Sequence, residues 1–317
     1  MRGSVGAHAA GAVTEFLVPR GSRQQVVRIA PPGSRSTSRR GRASVEHGGE
    51  CRYRTVVPED SARFVRTTIT DHVGWLEFDR GPVNAFERTM VEQVGDGLDE
   101  FERDREVRVV VLASALDRYF SAGADLETFR GIGADGMDEW CALVHGIVAR
   151  LRASSKPLLA AIHGVAVGGG LEMTLHCDVR FAARDARLGQ PEININFIPP
   201  VGATQALVRL IGRPRALRYL YDGALLGAAE ALAIGLVDEL VEPDDLRRTV
   251  QEYACTLAAK PPEALAAIRR SITVGGDERF EDGLSLERRL AVGLAGTANF
   301  SEGVEAFLDK RAPRWQH

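Results

Sequence analysis

Two mainly apolar runs constrain this chain more than any other feature of it: VRVVVLAS at 107–114 and KPLLAAIHGVAV at 156–167. A strand with one wet face alternates apolar and polar residues. A β-branched run without alternation belongs to a strand covered on both faces, as in parallel sheets flanked by helices. The second run stops at three successive glycines, 168–170, after which LEMTLHCD (171–178) can continue as a helix and VRFAA (179–183) as a strand. Upstream, FVRTTITDHVGWLEFDR (64–80) reads as two short alternating strands with a turn around 71–74. Phe86, Met90, Val94, Leu98 and Phe101 recur at helical spacing. A loop holding SAGAD (121–125) leads into a helical stretch ending near 153, and 203–240 reads as helices broken by Gly212, Gly223 and Gly235. This strand–helix alternation predicts an α/β fold with a core over 63–250 and a helical, one-side-polar region over 251–317. There is no internal repeat at solenoid periods.

Residues 1–62 are of another kind. GSRSTSRRGR (33–42) mixes Gly, Ser and Arg without apolar periodicity and holds too little apolar surface to offset the entropy of ordering, so disorder is expected. A misassigned start and an Arg-rich targeting peptide both fit the composition, although no amphipathic helix accompanies it. So does the remnant of an expression tag, since MRGS opens the chain and LVPRGS at 17–22 matches a thrombin site. The fold argument excludes this segment.

Composition removes several classes of function. With 40 basic against 43 acidic residues the chain lacks the surplus of a nucleic-acid binder. Its four cysteines are scattered without a CxxC pair, which fits a reducing, cytoplasmic compartment. No apolar run approaches the roughly 20 residues that span a bilayer. The seven histidines form no HExxH or similar spacing, so no metal is expected. His176, four residues after Glu172, reads as a core histidine or one that supports a site, and Cys177 as a small buried hydrophobe.

Three elements can carry chemistry. The turn at Gly168, Gly169 and Gly170 allows close backbone approach, and the helix start that follows exposes N–H groups to negative charge. It is neither GxGxxG nor a Walker loop, which counts against a dinucleotide site. Glu172 then falls in the first helical turn, where the dipole favours its charged form; taken singly it reads as a carboxylate that merely complements the dipole. Glu192 in LGQPEI (188–193) has small and apolar neighbours, so its pKa should rise toward neutrality; taken singly it reads as a loop acid. The small-residue loop SAGAD can aim a free N–H into a cleft as an oxyanion hole requires, or be an ordinary turn.

Taken in order and spacing, GPVNAF (81–86), FSAGADL (120–126), 156–183, LGQPEI, DGALLGAAEALAIGLVDELV (222–241) and EGVEAFLDKRAP (302–313) resemble the crotonase superfamily, and within it the enoyl-CoA hydratase/isomerase group. The resemblance covers about 64–317. It implies a spiral ββα superhelix and a C-terminal helical region that assembles homotrimers or dimers of trimers. It implies an acyl-CoA thioester as substrate with no further cofactor, held by an oxyanion hole of the Ala124 and Gly169 backbone N–H groups. Ala122, Gly123, Asp125, Leu126 and Gly168 would line the substrate, and Phe307 and Lys310 fall where relatives contact a neighbour's CoA adenine. Glu172 would activate water and Glu192 would deliver a proton to the α-carbon, giving hydration of a 2-enoyl-CoA or its reverse. An isomerase, another acyl-CoA lyase or hydrolase, and a non-catalytic assembly subunit are the alternatives. The chain departs from the family at Ile198-Pro199-Pro200-Val201-Gly202, where proline and valine replace glycines and should stiffen and narrow the acyl pocket. It departs again at Glu127, an acid near the CoA phosphates that Arg130 would offset, and the glycines in 130–139 suggest a mobile entrance.

Overall fold

The structure, a computed structural model, describes residues 16–20, 23–27 and 62–316. Strands β1 (Phe16–Arg20) and β2 (Arg23–Val27) pair antiparallel, an exception to the disorder expected of 1–62. The rest of that expectation lies outside the described residues. From residue 62 onward, β3 (Val65–Thr70) and β4 (Val73–Phe78) form the expected hairpin around Asp71 and His72. β5 (Ala85–Phe86) and α1 (Arg88–Arg103) follow, and the apolar residues spaced along α1 are buried as their period requires. VRVVVLAS supplies β6 (Val109–Ser114), buried at every residue.

Beyond β6 the chain repeats one manoeuvre: a strand, a second short strand, then a helix. The pairs are β6 with β7 (Tyr119–Ser121), β9 (Leu158–Ile162) with β10 (Val165–Val167), and β11 (Val179–Ala183) with β12 (Arg187–Gly189). Short β8 (Gly123–Ala124) and α2 (Ala134–Ala153) follow the first pair, and α3 (Gly168–Thr174) the second. The third leads to α4 (Ala203–Ile211) and α5 (Arg213–Asp222). After these come β13 (Leu225–Gly227), α6 (Ala228–Ile234) and β14 (Glu239–Val241), so 203–240 holds one three-residue strand and the start of a second as well as the expected helices. The first strand of each pair joins a six-stranded sheet of order β14-β11-β9-β6-β4-β3, parallel except at the β3–β4 hairpin. The second joins a four-stranded sheet of order β13-β12-β10-β7. This is the ββα spiral that the sequence resemblance implies.

KPLLAAIHGVAV therefore supplies two strands in different sheets rather than one segment. The chain turns between them at Gly164, whose φ is 58° and where a Cβ would lie 2.2 Å from the Arg118 carbonyl oxygen. No residue with a side chain fits there. The same device that breaks the apolar run lets the spiral pass from one sheet to the other.

Helix α7 (Leu246–Ala258) packs on the larger sheet through Leu246, Val250, Ala254 and Ala258, and Trp75 of β4 donates to Gln251 at 2.7 Å. The boundary expected at 250 thus falls inside a helix that covers the sheet. An amphipathic pattern states that a helix is covered on one face but not by what. Helices α8 (Pro262–Thr273), α9 (Phe280–Ala295) and α10 (Ala298–Leu308) complete the C-terminal region. Buried Arg269 ties α8 to the core, bonding the Asp178 carboxylate at 2.9 and 3.0 Å and the Leu151, Arg152 and Ser154 carbonyls.

Asn84 of the GPVNAF turn is fully buried in left-handed backbone. Its Nδ2 reaches the Phe78 carbonyl, Ser114 Oγ and the Phe120 carbonyl at 2.8–3.1 Å, and its Oδ1 accepts from the Arg80 N–H at 2.6 Å. One amide thus fixes the ends of β4, β6 and β7, from which the next loop springs. Because each buried polar group left unpaired costs about 1–3 kcal/mol, Asn84→Ala should lower unfolding stability by about 3 kcal/mol or more in urea titration.

Candidate active site

The loop after β7 and the start of α3 meet. Gly123 N–H is taken by Ser121 Oγ at 3.0 Å, and Asp125 N–H by the Phe86 carbonyl at 2.8 Å across the β5–β8 ladder. Alternation along a strand turns the Ala124 N–H away from β5. A Cβ built on Gly123 would lie 3.4 Å from Gly168 Cα and 3.7 Å from Gly169 N, so the two segments approach as only glycines permit. The Gly169 N–H lies in the first turn of α3, where no intrahelical acceptor exists. The sequence placed Ala124 and Gly169 in separate loops; the fold brings their neighbourhoods together.

The glycines are not a turn before the helix but its first turn, which puts Glu172 fifth in α3 rather than at its dipole-rich start. Glu172 is 0 % exposed. Its Oε2 accepts from the N–H groups of Val201 at 2.7 Å and Ala203 at 3.1 Å, while Oε1 has no hydrogen-bond partner. Burial, and then the charge of Glu192, push its carboxyl well above the usual range, against the lowering effect of the two N–H bonds. The dipole expectation is thus overturned: desolvation outweighs it.

Glu192 sits in a 3-10 turn, Pro191–Ile195, and its Oε1 would be 2.9 Å from a Cβ on Gly168. Its carboxylate therefore lies over the first residue of α3, close enough for its charge to act on Glu172. Burial pushes its pKa up to about 7, as its neighbours in sequence foretold. Gln190 is buried beside it. Oriented with its nitrogen toward the carboxylate, its amide donates to the Glu192 oxygens at 3.2 and 3.3 Å. Tyr219 of α5 is buried with its hydroxyl unpartnered, and burial, then the Glu192 charge, push its phenol up. On α2, burial followed by the Asp138 and Glu172 charges raises the Cys141 thiol.

Sequence reasoning missed Gln190, Tyr219 and Cys141. Gln190 stood in the quoted LGQPEI, where a polar residue between buried positions was the signal; the other two reach the site from distant helices. Phe129 packs edge-on against Trp140 of α2 at 5.2 Å and lies 6.4 Å from Phe197, joining the loop after β8, α2 and the Glu192 turn in one aromatic wall. Beyond Gln190 lies a mostly apolar cavity of about 340 Å³, lined among others by Phe197, Ile198, Pro199 and Arg213.

The remaining expected site residues divide. Ala122 bonds through its N–H to the Val83 carbonyl at 2.9 Å, which sets the loop. Asp125 commits its carboxylate to Arg80 at 2.9 Å and to the Glu127 N–H at 3.2 Å, so its visible part is to hold the loop. Leu126 is exposed next to it. Glu127 and Arg130 pair with each other at 2.9 Å, which neutralises the acid as expected. The segment 130–139 is only partly a glycine loop, because α2 starts at Ala134 and includes Gly136. Phe307, 83 % exposed, and Lys310 lie at the end of α10, and no contact described above links them to the glutamate pair. Among the described residues, no group of three or more His, Cys, Asp or Glu side chains could hold a metal ion, and no helix is long and apolar enough to cross a membrane.

A raised carboxyl pair beside two backbone N–H groups can move protons next to a polarised carbonyl. The sequence model of the enoyl-CoA hydratase/isomerase family matches residues 68–317. The chain belongs to the enoyl-CoA hydratase/isomerase family. Within the family it is 33% identical over 230 residues to the crotonyl-CoA hydratase of Syntrophomonas wolfei, covering 72% of this chain and 88% of that protein. It is 32% identical over 229 residues to the short-chain-enoyl-CoA hydratase of Clostridium acetobutylicum, with the same two coverages, 72% and 88%. The crystal structure of an enoyl-CoA hydratase from Bacillus anthracis superposes with a TM-score of 0.76 at 31% identity, covering 80% of this chain and 99% of that one. The protein is accordingly an enzyme of the crotonase superfamily.

Both glutamates bind protons more tightly folded than unfolded, so each opposes folding increasingly as pH rises through its window. For Glu192 that window runs from the ordinary value of 4.5 to about 7. Glu192→Gln should therefore lose less stability than the parent across this range in pH-dependent unfolding. The Glu172 carboxyl, relieved of a neighbouring charge, should titrate lower in carboxyl-resolved NMR.

Proposed function

We propose that the protein is an enoyl-CoA hydratase, adding water syn across a 2-enoyl-CoA to give the 3-hydroxyacyl-CoA, or running the reverse dehydration. The observation that carries this reading is the buried Glu172, one oxygen held by two N–H groups and the other unpartnered, with Glu192 beside it. An isomerase needs a single proton carrier; two carboxyls in one pocket suit the placement of a water and the delivery of a second proton. The relatives' names point the same way.

In this mechanism the thioester oxygen sits between the Ala124 and Gly169 N–H groups, which stabilise the enolate-like charge that forms on it. Glu172 Oε1 takes a proton from water as the water oxygen bonds to the β-carbon. The electron pair of the double bond moves toward the thioester, and protonated Glu192 gives its proton to the α-carbon. One water is consumed, its hydroxyl on Cβ and a proton on Cα. Passage of the proton from Glu172 to Glu192 restores the starting state. Glu192, raised to about 7, is present in both forms near neutrality, as a proton carrier should be. The CoA thioester is the substrate and the acid–base work requires no cofactor.

The assembly proposed with this reading is a homotrimer or a dimer of trimers. Exposed Phe280, Val292, Phe300, Phe307 and Leu308 on α9 and α10 support it, since isolated subunits rarely leave so many large apolar residues in water. Sedimentation equilibrium should give three or six times the 34.4 kDa chain mass.

Loss of the conjugated thioester absorbance across a panel of short, branched and aromatic 2-enoyl-CoA esters tests the chemistry. Turnover with at least one ester, reduced about 10³-fold or more in Glu172→Gln and in Glu192→Gln with ester binding kept, is the expected result. Binding without turnover on every ester, or wild-type rates in either variant, would reject the hydratase.

A further inference from the structure

The turn that holds Glu172 is itself held. Pro199 and Pro200 contribute no N–H groups, and the chain passes from them through Val201 into Gly202, left-handed at φ 86°, before α4 begins. Only in this conformation do the Val201 and Ala203 N–H groups converge on one carboxylate oxygen. The Val201 carbonyl, on the opposite side of the same residue, is 2.9 Å from His176 Nε2. A carbonyl can only accept, so Nε2 carries the hydrogen. The edge of the ring also abuts the turn: a Cβ on Gly202 would be 2.9 Å from Nε2 and 3.0 Å from Cε1. His145 of α2 makes a matching bond to the Pro200 carbonyl at 2.9 Å, but from an exposed position where water competes.

We infer that His176 is a positioning residue for Glu172, acting through the Val201 peptide. Its neutral imidazole donates from Nε2 to the Val201 carbonyl and fills the space above Gly202, and so fixes the two N–H groups that aim Glu172 Oε1 at the reacting water. Helix α3 ends at Thr174, so His176 lies beyond it and stands beneath the loop that Glu172 binds. Burial lowers the imidazole pKa, against the Val201 hydrogen bond, which raises it, and together with Arg152 on α2, which lowers it further; the net direction favours the neutral ring. The inference rests on Glu172 being the base.

The test compares His176→Met, which keeps volume and removes the donor, with His176→Gln, which restores an N–H, and with His145→Gln as an exposed control. In the hydration assay His176→Met should lower kcat about ten-fold or more with KM within about two-fold, since small misplacements of a reacting group cost rate rather than binding. Glu172 faces Glu192 and the Cys141 thiol. Slackening the N–H bonds that oppose their effect and that of burial should move the acid limb of kcat to higher pH. His176→Gln should recover most of the rate, and His145→Gln should stay near wild type. Nitrogen NMR of the wild-type imidazole should show the neutral Nε2–H tautomer, a readout independent of whether any variant folds. A folded His176→Met with wild-type kcat, or an Nδ1–H tautomer, would overturn the inference. Wild-type turnover in a parallel Glu172→Gln would instead overturn the assignment of the base.

Discussion

The site depends on one costly arrangement, a carboxylate removed from water and satisfied on only one of its two oxygens. Burying such a charge is expensive unless hydrogen bonds replace the lost solvation. For Glu172 the replacement is half made: Val201 and Ala203 saturate Oε2, and Oε1 has no hydrogen-bond partner. Incomplete solvation raises its affinity for a proton, and the nearby Glu192 raises it further. The group is a stronger base than any exposed glutamate because the protein withholds the partner that would quiet it.

Much of the architecture serves to hold this imbalance. The spiral carries the chain from one sheet to the other and ends a strand beside the site on each turn: β8 with Ala124, β10 at the glycines of α3, and β12 at Gln190 and Glu192. Asn84 binds the ends of three strands with one amide and so sets where the first loop leaves. Glycines at 123 and 168 remove the side chains that would keep the first two loops apart. The loops close to the chemistry are positioned by hydrogen bonds to buried side chains and backbone, and by the absence of a Cβ at two glycines.

Much of this was legible. The apolar runs announced a sheet buried on both faces, the period over 86–105 a helix, and the small-residue loops the places where backbone could meet a ligand. The two glutamates stood out by motif, and apolar neighbours of Glu192 in sequence already implied its raised pKa. Legibility stopped where the answer depended on residues far apart. The break in the run at 156–167 is dictated by Arg118, whose carbonyl excludes a side chain at Gly164. The helical start at Gly168 moved Glu172 out of the dipole and into the core. Tyr219, Cys141 and the Val201 N–H reach the pocket from separate elements, and no local pattern marks them.

The sequence by itself determined the family and the alternation of strands and helices, and it singled out Glu172 and Glu192, because these rest on periodicity and on motifs contained within short segments. The tertiary structure alone decided which oxygen of Glu172 is free, that the Gly123–Ala124 and Gly168–Gly169 backbones meet, and which groups raise each carboxyl. Those properties belong to desolvation and to hydrogen bonds across 29 and 31 positions of sequence, and they come into being only when the chain has closed around them.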